Sequence, residues 1–191
     1  MTTDKVAMDR VQRTKNMRAA EGYLDLIMVF DDGWSLDMSR RELIAERALE
    51  CLGRIKTPLG HKPYILFLKG QAHRVCARYE KAIDLLQQSA KLDPESVHTY
   101  LALAWCYKRI ERIDLAIESM ETAVMLEERN PLVHYNLACY WALAEEAFNA
   151  TRHLTIAFEL DSNYRDFVAS ESDFDAIRND PDFQDAISVI V

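Results

Sequence analysis

Ala82, Ala116 and Ala150 recur at intervals of 34 residues, and their surroundings recur with them. In the middle copy Tyr100, Leu103, Ala104 and Tyr107 precede Ala116, Met120 and Ala123. The copy before it has Leu66, Lys69, Gly70 and His73, then Ala82 and Leu86, and closes on Leu92, Asp93 and Pro94. The copy after it has His134, Leu137, Ala138 and Trp141, then Ala150, Leu154 and Ala157, and closes on Leu160 and Asp161. Each copy holds two helix-length apolar patterns joined by a short polar step. A lone hairpin of this kind cannot bury its apolar face, so the copies must stack. Gly70, Ala104 and Ala138 are small where the paired helices cross, and the three recurring alanines face them. Small residues at a crossing allow helix axes to approach to roughly 8 Å.

This pattern resembles the tetratricopeptide repeat family over Pro63 to Tyr164. The resemblance implies an all-α fold, a right-handed α-solenoid with regular repeats at 63–96, 97–130 and 131–164 in a single domain spanning 1–191. Lys69 stands where an apolar residue is usual and His73 where an aromatic one is, and the closing proline occurs once, as Pro94, so the first regular repeat is the least regular. Residues 4–30 read as one long helix, with Tyr23, Leu24, Ile27 and Met28 on its apolar side, and Asp31-Asp32-Gly33 ends it. Ser39-Arg40-Arg41-Glu42 has the form of a capping box and opens the next helix. Ala48 lies one period before Ala82, so 1–62 reads as a degenerate repeat with an insertion between its helices, or else as an unrelated helical pair. The stretch from Thr57 to Pro63 is a loop within the domain. After Leu160 the period stops. The run Phe174, Ile177, Arg178, Asp180, Pro181, Phe183 resembles the C-terminal cap of many bacterial tetratricopeptide proteins, and 165–191 is read as that capping segment, with Asp180 and Pro181 opening a last helix toward Ile190.

Charge is unevenly spread. Residues 1–62 carry 11 basic and 10 acidic side chains, 63–130 carry 9 and 10, and 131–191 carry 3 and 11. The acidic last third repels nucleic acid and anionic membrane, so neither is expected as a partner. The start, Met1-Thr2-Thr3-Asp4-Lys5, leads into a polar helix rather than an apolar run, and no stretch approaches the ~20 apolar residues of a membrane span. Cys51, Cys76, Cys106 and Cys139 have no CxxC spacing and sit in apolar helical patterns. A reduced, cytoplasmic chain is the expectation. Asn149-Ala150-Thr151 has the form of a glycosylation sequon but falls inside a helix.

No catalytic constellation emerges. There is no Gly-rich phosphate loop, G-x-S-x-G or H-E-x-x-H. The acidic run from Asp31 to Asp37 lacks the ligand spacing of a calcium loop. The five histidines do not pair with cysteines at metal-ligand spacing, so no enzyme activity, metal or cofactor is expected.

In the family the first helix of each hairpin lines a concave groove that holds partners. Carried over by position, the groove residues are Tyr64, Phe67 and Gln71, then His98, Leu101, Trp105, Lys108 and Arg109, then Tyr135, Asn136 and Cys139. Phe67/Gln71, Leu101/Trp105 and Tyr135/Cys139 are i, i+4 pairs, each on one helical face. The groove would be apolar and aromatic, the composition of binding hot spots. The basic clamp that some family members use to hold a carboxylate is missing, since its positions are Phe67, Gln71, Ala102, Leu132 and Asn136. The expected function is a scaffold or adaptor that binds a protein or peptide partner. Two alternatives stay open: a homo-oligomer built through the same groove, and a chaperone of secreted proteins. The groove can also be filled by the chain itself, with Tyr23, Ile27 and Met28 of the N-terminal helix as the candidate plug.

Overall fold

The computed structural model describes residues 2–31, 36–55 and 61–188, without side-chain detail for 2–8 and 29–31. The helix stop at Asp32-Gly33, the loop at 57–60 and the end of the last helix at 189–190 lie outside the described residues. Among the described residues every regular element is helical: α1 (Thr2–Asp31), α2 (Met38–Gly53), α3 (Lys62–Val75), α4 (Tyr79–Leu92), α5 (Val97–Arg109), α6 (Ile113–Leu126), α7 (Pro131–Leu143), α8 (Ala147–Leu160), α9 (Arg165–Val168) and α10 (Pro181–Ser188), with 3₁₀ turns at Ser162–Tyr164 and Ser172–Ile177. The fold is an all-α series of paired helices. It divides into two compact units, Met1–Pro94 and Glu95–Val191.

In the first unit α1 pairs with α2 and α3 with α4. Ala20, Leu24 and Ile27 of α1 meet Ala45, Ala48 and Leu52 of α2 and Ile65, Leu68 and Ala72 of α3 in one core. Ile27 is therefore core, not a plug. Ala48 and Leu52 take the buried roles that Ala82 and Leu86 take one period later. Helix α2 begins two residues earlier than its sequence suggests. Asp37, not Ser39, is the N-cap, because its carboxylate accepts from the Arg40 N–H at 2.9 Å. Pro63 lies within the first turn of α3 rather than in the loop, where its missing N–H costs nothing. The Arg78 guanidinium donates to Glu46 at 2.7 Å and Glu42 at 3.3 Å, tying α2 to the α3–α4 turn. Ser89 Oγ donates to the Pro63 carbonyl at 2.8 Å and ties the end of α4 to the start of α3.

Gly70 sets how closely α3 and α4 approach. A Cβ at this position would lie 2.7 Å from Leu86 Cγ and 3.4 Å from the Ala82 carbonyl oxygen.

The hairpin turns repeat with the same 34-residue period. Ala77, Glu111 and Glu145 adopt φ of 54°, 59° and 61°. In each turn the following N–H reaches back into the helix: Arg78 to the His73 carbonyl, Arg112 to Tyr107 and Glu146 to Trp141, all at 3.0 Å. This left-handed closure satisfies the last helical carbonyls and is usually made by glycine. None of the three is glycine, so each turn carries backbone strain of about 1 kcal/mol.

In the second unit α5 pairs with α6 and α7 with α8. Asn130 caps α7, its side-chain oxygen accepting from the Leu132 N–H at 3.0 Å, and Pro131 opens the helix. The C-terminal segment follows the capping pattern residue by residue. Phe174 and Phe183 are fully buried with ring centroids 5.4 Å apart, and Ile177 is buried beside them. Arg178 donates to the Glu171 carbonyl at 2.9 Å and to Asp175 Oδ1 at 2.8 Å, holding the 3₁₀ turn shut. Asp180 accepts from Asp182 and Phe183 N–H groups and starts α10. The turn packs on α7 and α10 on α8.

Two substitutions test this account by thermal and urea denaturation of the full chain. Gly70→Ala lowers stability by about 1–2 kcal/mol, because buried Leu86 must shift. Glu111→Gly raises it by about 1 kcal/mol, because the turn conformation then carries no side-chain penalty.

Candidate functional site

Helix α3 presents Tyr64, Phe67 and Gln71 at i, i+3 and i+7, one face of the helix. The two rings stack with centroids 6.1 Å apart. The Tyr64 hydroxyl donates to Glu21 Oε1 of α1 at 2.9 Å. Burial, together with that bond and the charges of Glu21 and Asp25, pushes the phenol up to about 12, so it stays a donor. Between α1 and α3 these residues enclose a cavity of about 270 Å³, with Leu24 and Met28 on the α1 side and Arg74 at its edge. Tyr64 remains 42% exposed and Met28 44%, so the rim meets solvent. The predicted groove residues of the first unit are thus brought together, with α1 as the opposite wall.

The second unit differs. Tyr135 is 6% exposed and Cys139 3%. Within this unit the C-terminal turn covers them. Tyr135 lies between Tyr164 (5.1 Å between centroids) and Phe174 (5.9 Å, edge to face). The Lys108 ammonium pairs with the Asp173 carboxylate, fastening α5 to the same turn. Burial, with Asp173 and Glu171 nearby, pushes the Cys139 thiol far up, so it is neither nucleophile nor ready ligand. The sulfur of Cys139 and the carboxylates of Glu171 and Asp173 lie within 4.8 Å of one another, the one such group among the described residues. Lys108 already supplies its positive charge. On α5, His98 and Arg109 are exposed and Leu101 and Trp105 half-buried, with the Arg109 guanidinium 5.3 Å from the Trp105 ring centre. Asn136 is half-buried on α7.

A histidine pair joins α7 to α8 and leaves no mark in the 34-residue pattern. His134 of α7 and His153 of α8 stack at 5.3 Å, with their Nδ1 atoms 3.0 Å apart. His134 Nε2 lies 2.8 Å from the Glu128 carbonyl, which can only accept. His134 therefore carries its proton on Nε2, and its Nδ1 accepts from the Nδ1–H of His153. Burial, then His134 and Arg152, lowers His153 to about 4. The 19-residue separation gives no signal in one helix; it becomes meaningful only when α7 and α8 pair. A histidine depressed in the fold binds its proton more readily when unfolded. Its stabilising effect is complete above pH ~6.5 and is lost as pH falls through the window down to about 4. The melting temperature accordingly falls across that window, and His153→Asn, which cannot titrate, flattens the fall in a thermal melt series.

Comparison with known proteins places the chain by its repeats. Residues 77–138 match the tetratricopeptide repeat family. A 53-residue stretch is 34% identical to anaphase-promoting complex subunit 3 of Dictyostelium discoideum, covering 28% of this chain and 6% of that protein. The chain therefore spans a small fraction of that relative's length. Among solved structures, a crystal structure of MamA covers 81% of this chain and 87% of its own, with TM-score 0.58 and 18% identity. The MamA MSR-1 C2 structure covers 82% and 98%, with TM-score 0.57 and 19% identity. The MamA RS-1 ArsTM double mutant covers 82% and 96%, with TM-score 0.58 and 18% identity. At these identities the likeness is one of fold. No helix among the described residues is long and apolar enough to cross a membrane.

Proposed function

We propose that this chain, whose residues 77–138 match the tetratricopeptide repeat family, is a protein–protein interaction module that works as a scaffold and holds a partner peptide or helix in the cleft between α1 and α3. The observation that carries this reading is the cleft itself. It is aromatic on one side, aliphatic on the other, about 270 Å³ in volume, and edged by polar groups. That combination suits an apolar anchor side chain with a hydrogen-bonding backbone beside it. The Gln71 amide oxygen accepts from Arg74 Nε at 2.5 Å, which leaves its amide N–H groups to donate to such a backbone. In the second unit, taken by itself, the face of α5 bears His98, Leu101, Trp105 and Arg109, and α7 bears Asn136. The reading requires no cofactor and no bond-making chemistry.

Affinity capture from the source extract, read by mass spectrometry, tests the proposal against a Tyr64→Ala/Phe67→Ala double variant with an unchanged circular dichroism spectrum. A partner retained by the wild type is expected to bind the variant roughly tenfold or more weakly, as for truncated aromatic hot spots. Equal retention by both proteins refutes the cleft as the binding site.

A further inference from the structure

The α1 helix carries a second feature of the same face. From Arg10 to Arg18 there are four cations, Arg10, Arg13, Lys15 and Arg18, and no acid. Arg10, Arg13 and Arg18, with Thr14 and with His61 at the start of α3, line a cavity of about 270 Å³ that ends at Glu21. None of these guanidiniums has an ion-pair partner among the described residues. Elsewhere in the unit arginines are paired: Arg78 with Glu42 and Glu46, Arg40 with Asp37, and Arg47 with Glu50. Three like charges around one hollow repel one another, and an incoming anion relieves that repulsion. Glu21 also borders the cleft that holds Tyr64 and Phe67, so the basic hollow and the apolar cleft adjoin along α1.

We infer that the partner of this face is a peptide segment with an acidic cluster next to an apolar anchor, the acids lying against Arg10, Arg13 and Arg18 and the anchor filling the α1–α3 cleft. The inference rests on the cleft being the binding site. Two charge arguments select a peptide. A duplex or an anionic membrane is negative throughout, and Glu21 and Asp25 beside the cleft repel it. An acidic peptide concentrates its charge at one end and avoids those carboxylates. The distance also suits a peptide. From Arg13 to Asp25 the helix rises about 18 Å at 1.5 Å per residue. About five or six extended residues cover that distance at roughly 3.3 Å each.

Fluorescence anisotropy of the full chain provides the test. The probe is a labelled peptide with one phenylalanine, a four-residue Gly/Ser spacer and four glutamates. Control probes replace the glutamates with lysines or the phenylalanine with serine. The wild type is expected to bind the first probe best and to lose affinity as salt rises. Arg13→Glu/Arg18→Glu should weaken binding roughly tenfold or more and flatten the salt dependence. Both positions meet solvent, and a thermal melt confirms folding. Binding lost in Tyr64→Ala/Phe67→Ala but unchanged by the arginine reversal overturns this inference and leaves the cleft as the site. Binding unchanged by either variant overturns both. Stronger binding of a short DNA duplex or of phosphatidylserine vesicles at the same arginines overturns the peptide assignment. So does self-association through those arginines that excludes the probe, which assigns the surface to a second copy.

Discussion

The structure depends on close approach within each helical hairpin. Gly70 shows the limit: even one methyl group there would meet Leu86 and the α4 backbone. At the other crossings Ala20, Ala48, Ala104, Ala116, Ala138 and Ala150 are fully buried. Small residues bring the backbones together, and Leu52, Leu86, Met120 and Leu154 fill the volume beside them. Interiors pack as densely as organic crystals, so this spacing also determines which side chains can reach across to the next helix. The face of α3 that bears Tyr64 and Phe67 is presented to α1 because the opposite face is committed to α4.

The two units use their equivalent faces differently. In the first, α1 and α3 leave a cleft whose polar edge is held by the Tyr64–Glu21 bond. In the second, the C-terminal turn lies on α7 and covers Tyr135 and Cys139. The aromatic cluster of Tyr135, Tyr164, Phe174 and Phe183 accounts for that cover, since each large ring buries substantial apolar area and tilted or edge-on pairs add further attraction. The Lys108–Asp173 pair sets its register. A repeat array needs a polar outer face at its end, and the acidic side chains of the last third supply it.

Much of the strain and the charge balance is invisible in the 34-residue pattern alone. The turn residues Ala77, Glu111 and Glu145 obey the period, yet alanine and glutamate are ordinary helix formers and do not announce a left-handed backbone. The His134–His153 contact lies across two helices and depends on the rotation of each about its axis. The arginines of α1 are evident as a basic run in the sequence, but their meeting with His61 around one hollow requires α3 to be in place.

The sequence by itself determined the hairpins, their number in the regular part, the small residues at their crossings, the caps at Asn130 and Asp180, and the capping run from Phe174 to Phe183. These are local or periodic features, set by helix geometry and by the need to bury an apolar stripe every 34 residues. Only the tertiary structure decided which inner faces are open and which are covered. Phe67 and Tyr135 stand two periods apart and so occupy equivalent places on their helices, yet one is half-buried and the other buried. That difference arises from segments distant in sequence, α1 in one unit and the C-terminal turn in the other. No repeat pattern records where such segments come to rest, because their position is settled by the sum of many weak packing contacts and not by a spacing along the chain.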